Sequence, residues 1–365
     1  MARVRVRGDI LEIDLEAVHL VASTGVNGGL RESRHIIIRS VGEDLDYEGV
    51  EDLVRDAVRR AGVGDAVVLL TAVDVGDYIE LEGGSVWLLA TVGLTHPACI
   101  DMEEVYEAPR TSTINIVAVS KAPLKPPALL DMLKTVAEAK AATSSDLLLG
   151  CMSRPVGTVS DAIAVAAPQG GGAPWSGIAT RIGNEAARLV REAIRRGDRR
   201  GIDSRLRGVL GIGVEELVRD ALAMYSTAPA PGLDARGVEG LIRLAMERFL
   251  RDPNTWALLV AARELDYHAR AGSIPGLGAD EYKGDTRGLV ADEVLAASLS
   301  LYLQGWKGLM AAYWVDRSKD MVGLRLAGLP GFLDDIAAAL VGAALSRVYD
   351  EVLHREDRGS GHGGG

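Results

Sequence analysis

The spacing of hydrophobic residues changes character once along the chain, near residue 200, and so imposes two successive kinds of packing. Before that point, short β-branched runs occur at Arg3–Arg7, Ile10–Leu15, Ile36–Arg39, Val67–Val73, Val86–Leu94, Ile114–Ser120 and Ala162–Ala167, and they read as strands. Helical spacing is interleaved with them at Val50–Ala61, Ala128–Ala142 and Ile178–Arg196. Because helices separate only some of the strands, the expected architecture is an α/β layered domain with a mixed sheet. After the glycine-bounded, charged stretch 197–208 nearly every segment has helical period, which predicts an all-α helical bundle. The expected organisation is therefore a domain over 1–198, a linker over 199–208, a helical domain over 209–354 and a disordered glycine-rich tail over 355–365. At 365 residues, the chain is long enough for each half to bury its own core.

Composition narrows the class of function. A net charge of −11 argues against a general nucleic-acid surface. With 4% aromatics, the cores must be built from Val, Leu, Ile and Ala. Two cysteines, Cys99 and Cys151, make neither a disulfide framework nor a zinc spacing, and both are expected to be small buried hydrophobes. The N-terminus alternates charge with valine and reads as an edge strand rather than a signal segment. The longest uncharged apolar run, Ile336–Leu345, is about half of a bilayer span. A cytoplasmic protein without membrane contact is expected, and self-assembly is compatible with the sequence.

Acidic residues near the C-terminus stand out because they lie inside otherwise apolar helices. Leu289, Asp292, Glu293 and Ala296 fall at i, i+3, i+4 and i+7, which puts both carboxylates on an apolar stripe. Asp316 and Lys319 lie one turn apart, Asp334 and Asp335 open a helix without polar side chains to Leu345, and Asp266 lies in a further helix. Singly, each has an ordinary explanation: a helix-dipole charge, a surface ion pair or a solvated face. Four such placements in neighbouring helices instead point to a hard cation, Mg²⁺, held between them.

The blocks Gly288-Leu-Val-Ala-Asp-Glu-Val-Leu-Ala296, Tyr313-Trp-Val-Asp-Arg-Ser-Lys319 and Phe332-Leu-Asp-Asp-Ile-Ala-Ala338 resemble the three signatures of phosphatidylglycerophosphatase A-like proteins over about residues 210–350. The resemblance implies a Mg²⁺-dependent phosphomonoester phosphatase, with Asp266, Asp285, Asp292, Glu293, Asp316, Lys319, Asp334 and Asp335 at matching positions. Asp266, Asp292, Glu293, Asp316, Asp334 and Asp335 are the implied metal ligands, and Lys319 the implied catalytic contact to a phosphate oxygen. Asp320 departs from the family, which has proline there.

The first half carries polar motifs at strand ends. Ser23-Thr-Gly-Val-Asn-Gly-Gly29 suits either a backbone-donor loop or an Asn-Gly turn. An inward Asn115 in the strand Ile114–Ser120 is unusual, Ala137-Glu-Ala-Lys140 ends a helix, and Val156-Gly-Thr-Val-Ser-Asp161 leads into an apolar strand. His96 is lone and makes no zinc spacing with His19 or His35. In their order, Asn27-Gly28-Gly29, Thr71-Ala72, Thr113-Ile-Asn115, Glu138-Ala-Lys140, Gly157-Thr158-Val-Ser160-Asp161 and Ser176–Gly183 resemble the adenosylcobinamide amidohydrolase family over about residues 15–195. Ser160 stands where that family has threonine. The resemblance implies cleavage of the amide joining aminopropanol to the corrin ring, giving adenosylcobyric acid.

Amide hydrolysis needs a nucleophile, an oxyanion stabiliser and a proton for the leaving amine. Thr158 or Ser160 suits the nucleophile with Lys140 or Asp161 as base; alternatively Asp161 or Glu138 activates a water while Asn115 holds the oxyanion. Asn27, Gly28, Gly29 and Thr71 are the expected substrate contacts, and no cofactor is expected in this half. The pairing of the two halves favours α-ribazole 5′-phosphate as the phosphatase substrate, an association rather than a physical derivation. Phosphatidylglycerophosphate, another phosphomonoester, or a non-catalytic corrinoid-binding role for one half are the alternatives.

Overall fold

The computed structural model describes residues 2–42, 45, 49–101, 113–231, 234–283 and 289–360. It divides into two compact units, Met1–Arg199 and Arg200–Gly365.

The first unit is a mixed sheet with helices. Its strands are β1 (Arg3–Arg7), β2 (Ile10–Ser23), β3 (Gly29–Ser40), β4 (Val67–Thr71), β5 (Ile79–Glu82), β6 (Val86–Val92), β7 (Pro97–Cys99), β8 (Ile114–Ser120), β9 (Pro155–Thr158) and β10 (Ala162–Pro168), with helices α1 (Val50–Ala61), α2 (Pro126–Asp146) and α3 (Arg181–Gly197). The main sheet runs β4-β3-β2-β10-β8-β6-β5, with β1 paired to β2. The β3–β4 and β8–β10 pairs are parallel, whereas β2–β3, β2–β10, β6–β8 and β5–β6 are antiparallel, so the sheet is mixed as the interrupted helix pattern requires.

Local chemistry sets most boundaries. Pro126-Pro127 opens α2, where missing amide hydrogens cost nothing, and Thr180 caps α3 by accepting from Gly183 N at 3.1 Å. Helices α2 and α3 bury Leu129, Met132, Val136, Ala186, Val190 and Ile194 against Leu88, Ala90, Ile116, Ala118, Ile163 and Val165. Each of the Val, Leu, Ile and Met side chains contributes ~1.5–3 kcal/mol relative to an exposed one. Helix α1 packs Ala57 and Ala61 on Ile37 and Val68.

Several expectations are corrected here. Strands β5, β7 and β9 are absent from the sequence reading because they are three or four residues long, too short to display a period. The runs Ile10–Leu15 and Ile36–Arg39 are parts of a long hairpin, interrupted where residues between Asp14 and His19 bulge and Glu16 adopts φ +63°. Cys99 and Cys151 are joined in a disulfide, Cα–Cα 5.8 Å. The pairing of β7 with β9 brings them together across 52 residues of sequence, which spacing alone does not reveal.

In the second unit every described element is helical: α4 (Ile202–Leu210), α5 (Val214–Thr227), α6 (Ala235–Leu250), α7 (Pro253–Arg270), α8 (Ala279–Lys283), α9 (Ala291–Val322) and α10 (Gly331–Ser360), with a short 3-10 turn at Arg325–Gly328. The expected linker is largely α4, whose Leu206, Val209 and Leu210 are buried. The expected tail is helical through Ser360, while 361–365 lie outside the described residues. Helix α9 breaks at Gln304-Gly305, where Gly305 has φ +60°, and the two arms carry different acidic blocks. Helix α10 crosses α9 so closely that a Cβ on Gly342 would fall inside 3.0 Å of the Ala312 backbone. At Asp320 the helix simply continues, ending instead at Gly323 with φ +75°. No helix among the described residues is long and apolar enough to cross a membrane.

Candidate active sites of the two units

At one end of the first unit's sheet, the start of β8 and the end of β4 meet although three strands separate them in the hydrogen-bonded order. Asn115 makes this closure. Its side chain is wholly buried and Nδ2 donates to Leu70 O at 2.8 Å. Thr113, two residues earlier, shares that side of the strand and lies 3.0 Å from Thr71 Oγ1, and Thr91 donates to Thr71 at 3.3 Å. Asn115 Oδ1 has no partner among the described residues, an expensive state for a buried acceptor and one that a donor on a ligand would relieve.

Asp161 lies at the same end, between β9 and β10. Its carboxylate accepts from Ile114 N at 2.8 Å, from Thr158 N at 3.0 Å, from Thr158 Oγ1 and from Lys140 Nζ. These four donors saturate the usual acceptor capacity of a carboxylate. Lys140 reaches it from α2, and both side chains are largely buried, 13% and 8% exposed. A Cβ on Gly157, φ +153°, would fall inside 3.0 Å of Asp161 Oδ2 and Lys140 Nζ, so glycine is what lets the strand pass the ion pair. The Thr158-bearing strand is held by β7, with Pro97 opposite Thr158 and Val159 N donating to His96 O at 3.2 Å.

The structure thus brings Thr71, Asn115, Lys140, Thr158 and Asp161 to one end of the sheet, and Ser160 lies in the turn between Thr158 and Asp161. Glu138 is placed differently: it is exposed, about 200° around α2 from Lys140, and so turned away from Asp161. Asn27 serves as a strut, donating to Ala66 O at 2.7 Å and accepting from Val68 N at 2.8 Å. Its loop is also tied to β10 through Thr24 N and Ile163 O at 2.9 Å, and Gly28 packs where a Cβ would strike Ser23 O. Gly29 has φ +87° and nothing near its missing Cβ. Thr91 and Thr113 join the site although the sequence motifs do not mark them as site residues; the signal for Thr113 is the period-two alternation that places it on the Asn115 side of the strand.

In the second unit, Asp292 and Glu293 from the start of α9 and Asp335 from α10 offer oxygens within 4.8 Å of one another. Lys319 is the centre of a second group, 2.7 Å from Asp316, 2.5 Å from Asp334 and 3.8 Å from Asp335. Burial alone would lower its pKa, but the bonds to Asp316 and Asp334 hold the ammonium well above its ordinary value. Asp266 is 2% exposed; Oδ1 accepts from Tyr282 OH and from Phe332 N at 3.3 Å, while Oδ2 has no partner among the described residues. Tyr282 is a further contributor, stacked on Phe332 with ring centroids 6.1 Å apart. Asp285 lies outside the described residues.

Electrostatics describe a site short of positive charge. Burial pushes Asp266 up to about 7. Asp292 is pushed up to about 7 by burial and by Glu293, and Asp335 to about 8 by burial and by Asp334 and Asp316. Asp334 is raised by burial against the opposing pull of Lys319. The three clustered carboxylates of Asp292, Glu293 and Asp335 offer oxygen ligands of the kind that could hold a hard divalent cation.

A family model described as adenosylcobinamide amidohydrolase matches residues 1–205. Adenosylcobinamide amidohydrolase from Halobacterium salinarum is 37% identical over 184 residues, 47% of this chain and 77% of that protein. The protein of the same name from Methanosarcina mazei is 29% identical over 208 residues, 54% of this chain and 94% of that one. Among solved structures, the low temperature requirement C protein from Listeria monocytogenes aligns at 24% identity with a TM-score of 0.34, covering 41% of this chain and 93% of that one, a likeness too low to carry an argument.

Proposed function

The chain belongs to the adenosylcobinamide amidohydrolase family through residues 1–205, and from that membership we propose that its first unit cleaves the aminopropanol amide of adenosylcobinamide, releasing adenosylcobyric acid. The observation that carries the assignment to a site is the convergence of Thr158, Asp161 and Lys140 beside Asn115. In this reading Thr158 Oγ1 attacks the amide carbonyl while its proton passes to Asp161, the acceptor it already bonds. Collapse of the tetrahedral intermediate breaks the C–N bond, and the amine leaves with that proton. Water then hydrolyses the ester and restores the threonine. Lys140 pairs with Asp161, and its charge also faces the developing oxyanion. The saturated coordination of Asp161 favours this route over activation of a water by the same carboxylate. Incubation of the full chain with adenosylcobinamide should yield adenosylcobyric acid and aminopropanol by mass spectrometry, and Thr158→Val should stop it while Thr158→Ser retains part. Turnover of Thr158→Val at the wild-type rate would refute Thr158 as nucleophile and return the water mechanism; corrinoid binding without cleavage by the wild type would refute the activity.

For the second unit the proposed activity is Mg²⁺-dependent hydrolysis of a phosphomonoester, supported by the orphaned Asp266 Oδ2 and by the Asp292, Glu293 and Asp335 cluster. Those three carboxylates would hold the ion, with Asp266 as a further oxygen donor. The bound cation would neutralise phosphate charge in a site otherwise repulsive to it. Asp316 and Asp334 are bonded to Lys319 and orient it. Fusion to a corrinoid hydrolase favours α-ribazole 5′-phosphate as substrate over phosphatidylglycerophosphate. Phosphate release from each, with and without EDTA, separates the substrates, and Asp335→Asn should abolish it. EDTA should leave amide cleavage unchanged; EDTA-insensitive phosphate release would overturn the metal assignment.

A further inference from the structure

In the last two turns of α7, two buried polar atoms have no partner among the described residues, Asp266 Oδ2 and Arg270 Nε. The residues are one helical turn apart and share a stripe of the helix. An acid and a base at that spacing ordinarily bond each other. Here they do not, although Arg270 lies close enough for its charge to act on the Asp266 carboxylate. One orphaned acceptor and one orphaned donor a turn apart suit a third group that is anionic towards Arg270.

Lys319 does not answer that need. It is already engaged by Asp316, Asp334 and Asp335, so an incoming phosphate would have to displace a carboxylate to reach it. In this reading Lys319 holds Asp316 and Asp334. Recognition of a dianion still requires an uncommitted cation, and a guanidinium offers two parallel donors matched to phosphate oxygens.

We propose that Arg270 is the phosphate-recognition residue of the second unit, its guanidinium gripping non-bridging oxygens of a phosphomonoester beside Asp266. This rests on the phosphatase reading above, and the test separates the two. Wild type, Arg270→Lys and Arg270→Ala, in the full chain, are compared for phosphomonoester turnover, for binding of inorganic phosphate by calorimetry in Mg²⁺, and for Mg²⁺ binding alone. Arg270→Ala should raise KM and the Kd for phosphate at least ~10-fold, with Mg²⁺ affinity and melting temperature near wild type, and Arg270→Lys should fall between. Unchanged KM and phosphate affinity in Arg270→Ala would overturn the proposal while leaving the phosphatase standing. If wild type releases no phosphate from any monoester, the phosphatase reading fails. The binding arm then still decides: phosphate held by wild type and lost in Arg270→Ala supports the site, and no binding by wild type overturns it.

Discussion

Replacing Gly157 with alanine tests the first site at its tightest point. The added Cβ falls inside 3.0 Å of both Asp161 Oδ2 and Lys140 Nζ, so each must move by almost an ångström, and neither is the loose end of a solvated chain. Overpacking of this kind costs ~1–3 kcal/mol. A non-glycine residue at φ +153° adds ~1–2 kcal/mol. Together these give about 3 kcal/mol, or a melting temperature of the first unit lowered by ~10 °C in scanning calorimetry. Displacing the pair by that distance should also lower kcat for adenosylcobinamide about 100-fold. Gly64→Ala is the control, because nothing lies within 4 Å of its Cβ position and it should change neither quantity. A Gly157→Ala protein that melts and turns over like wild type would show that the Asp161–Lys140 geometry is neither tight nor functional.

Asn115→Ala should cost ~1–3 kcal/mol in urea unfolding, because Leu70 O loses its donor inside the closed end of the sheet; an unchanged midpoint would mean the β4–β8 closure contributes nothing. Reduction of Cys99–Cys151 releases a constraint spanning 52 residues and should lower the first unit's stability by about 4 kcal/mol on the chain-entropy estimate, with Cys99→Ser matching the reduced protein. In the metal-free second unit, Asp266, Asp292 and Asp335 have folded pKa values raised to about 7, 7 and 8, so the protonated forms favour folding. Their contribution to stability is complete below pH ~4 and is lost as pH rises through 7 to 8, and Mg²⁺, which replaces those protons, should stabilise more at about pH 9 than at about pH 5. A Mg²⁺-induced melting shift independent of pH would refute that linkage.

The N-terminal motifs were legible because each lies in a short stretch whose residue types have local reasons to be there. Gly157, Thr158 and Asp161 fall within five residues, and their mutual bonds are nearly dictated by that spacing. Glu138 misled for the same reason: two residues from Lys140 in sequence, it is on the far side of the helix. The acidic blocks of the second unit were legible as anomalies in apolar helices. Their division into Asp292, Glu293 and Asp335 on one hand and a Lys319 cluster on the other was not, because it depends on which helices pack together.

By itself the sequence determined the types of the longer elements, the change from mixed α/β to helical structure near residue 200, and the order of the polar motifs. Those follow from interactions over a few residues, where periodicity and capping act. Only the tertiary structure decided that Asn115 reaches Leu70 across the sheet, that Cys99 meets Cys151, and that Lys319 is ion-paired while Arg270 Nε has no partner among the described residues. Such contacts depend on sheet curvature, strand register and helix crossing, which are set by the summed packing of the whole core rather than by any local run.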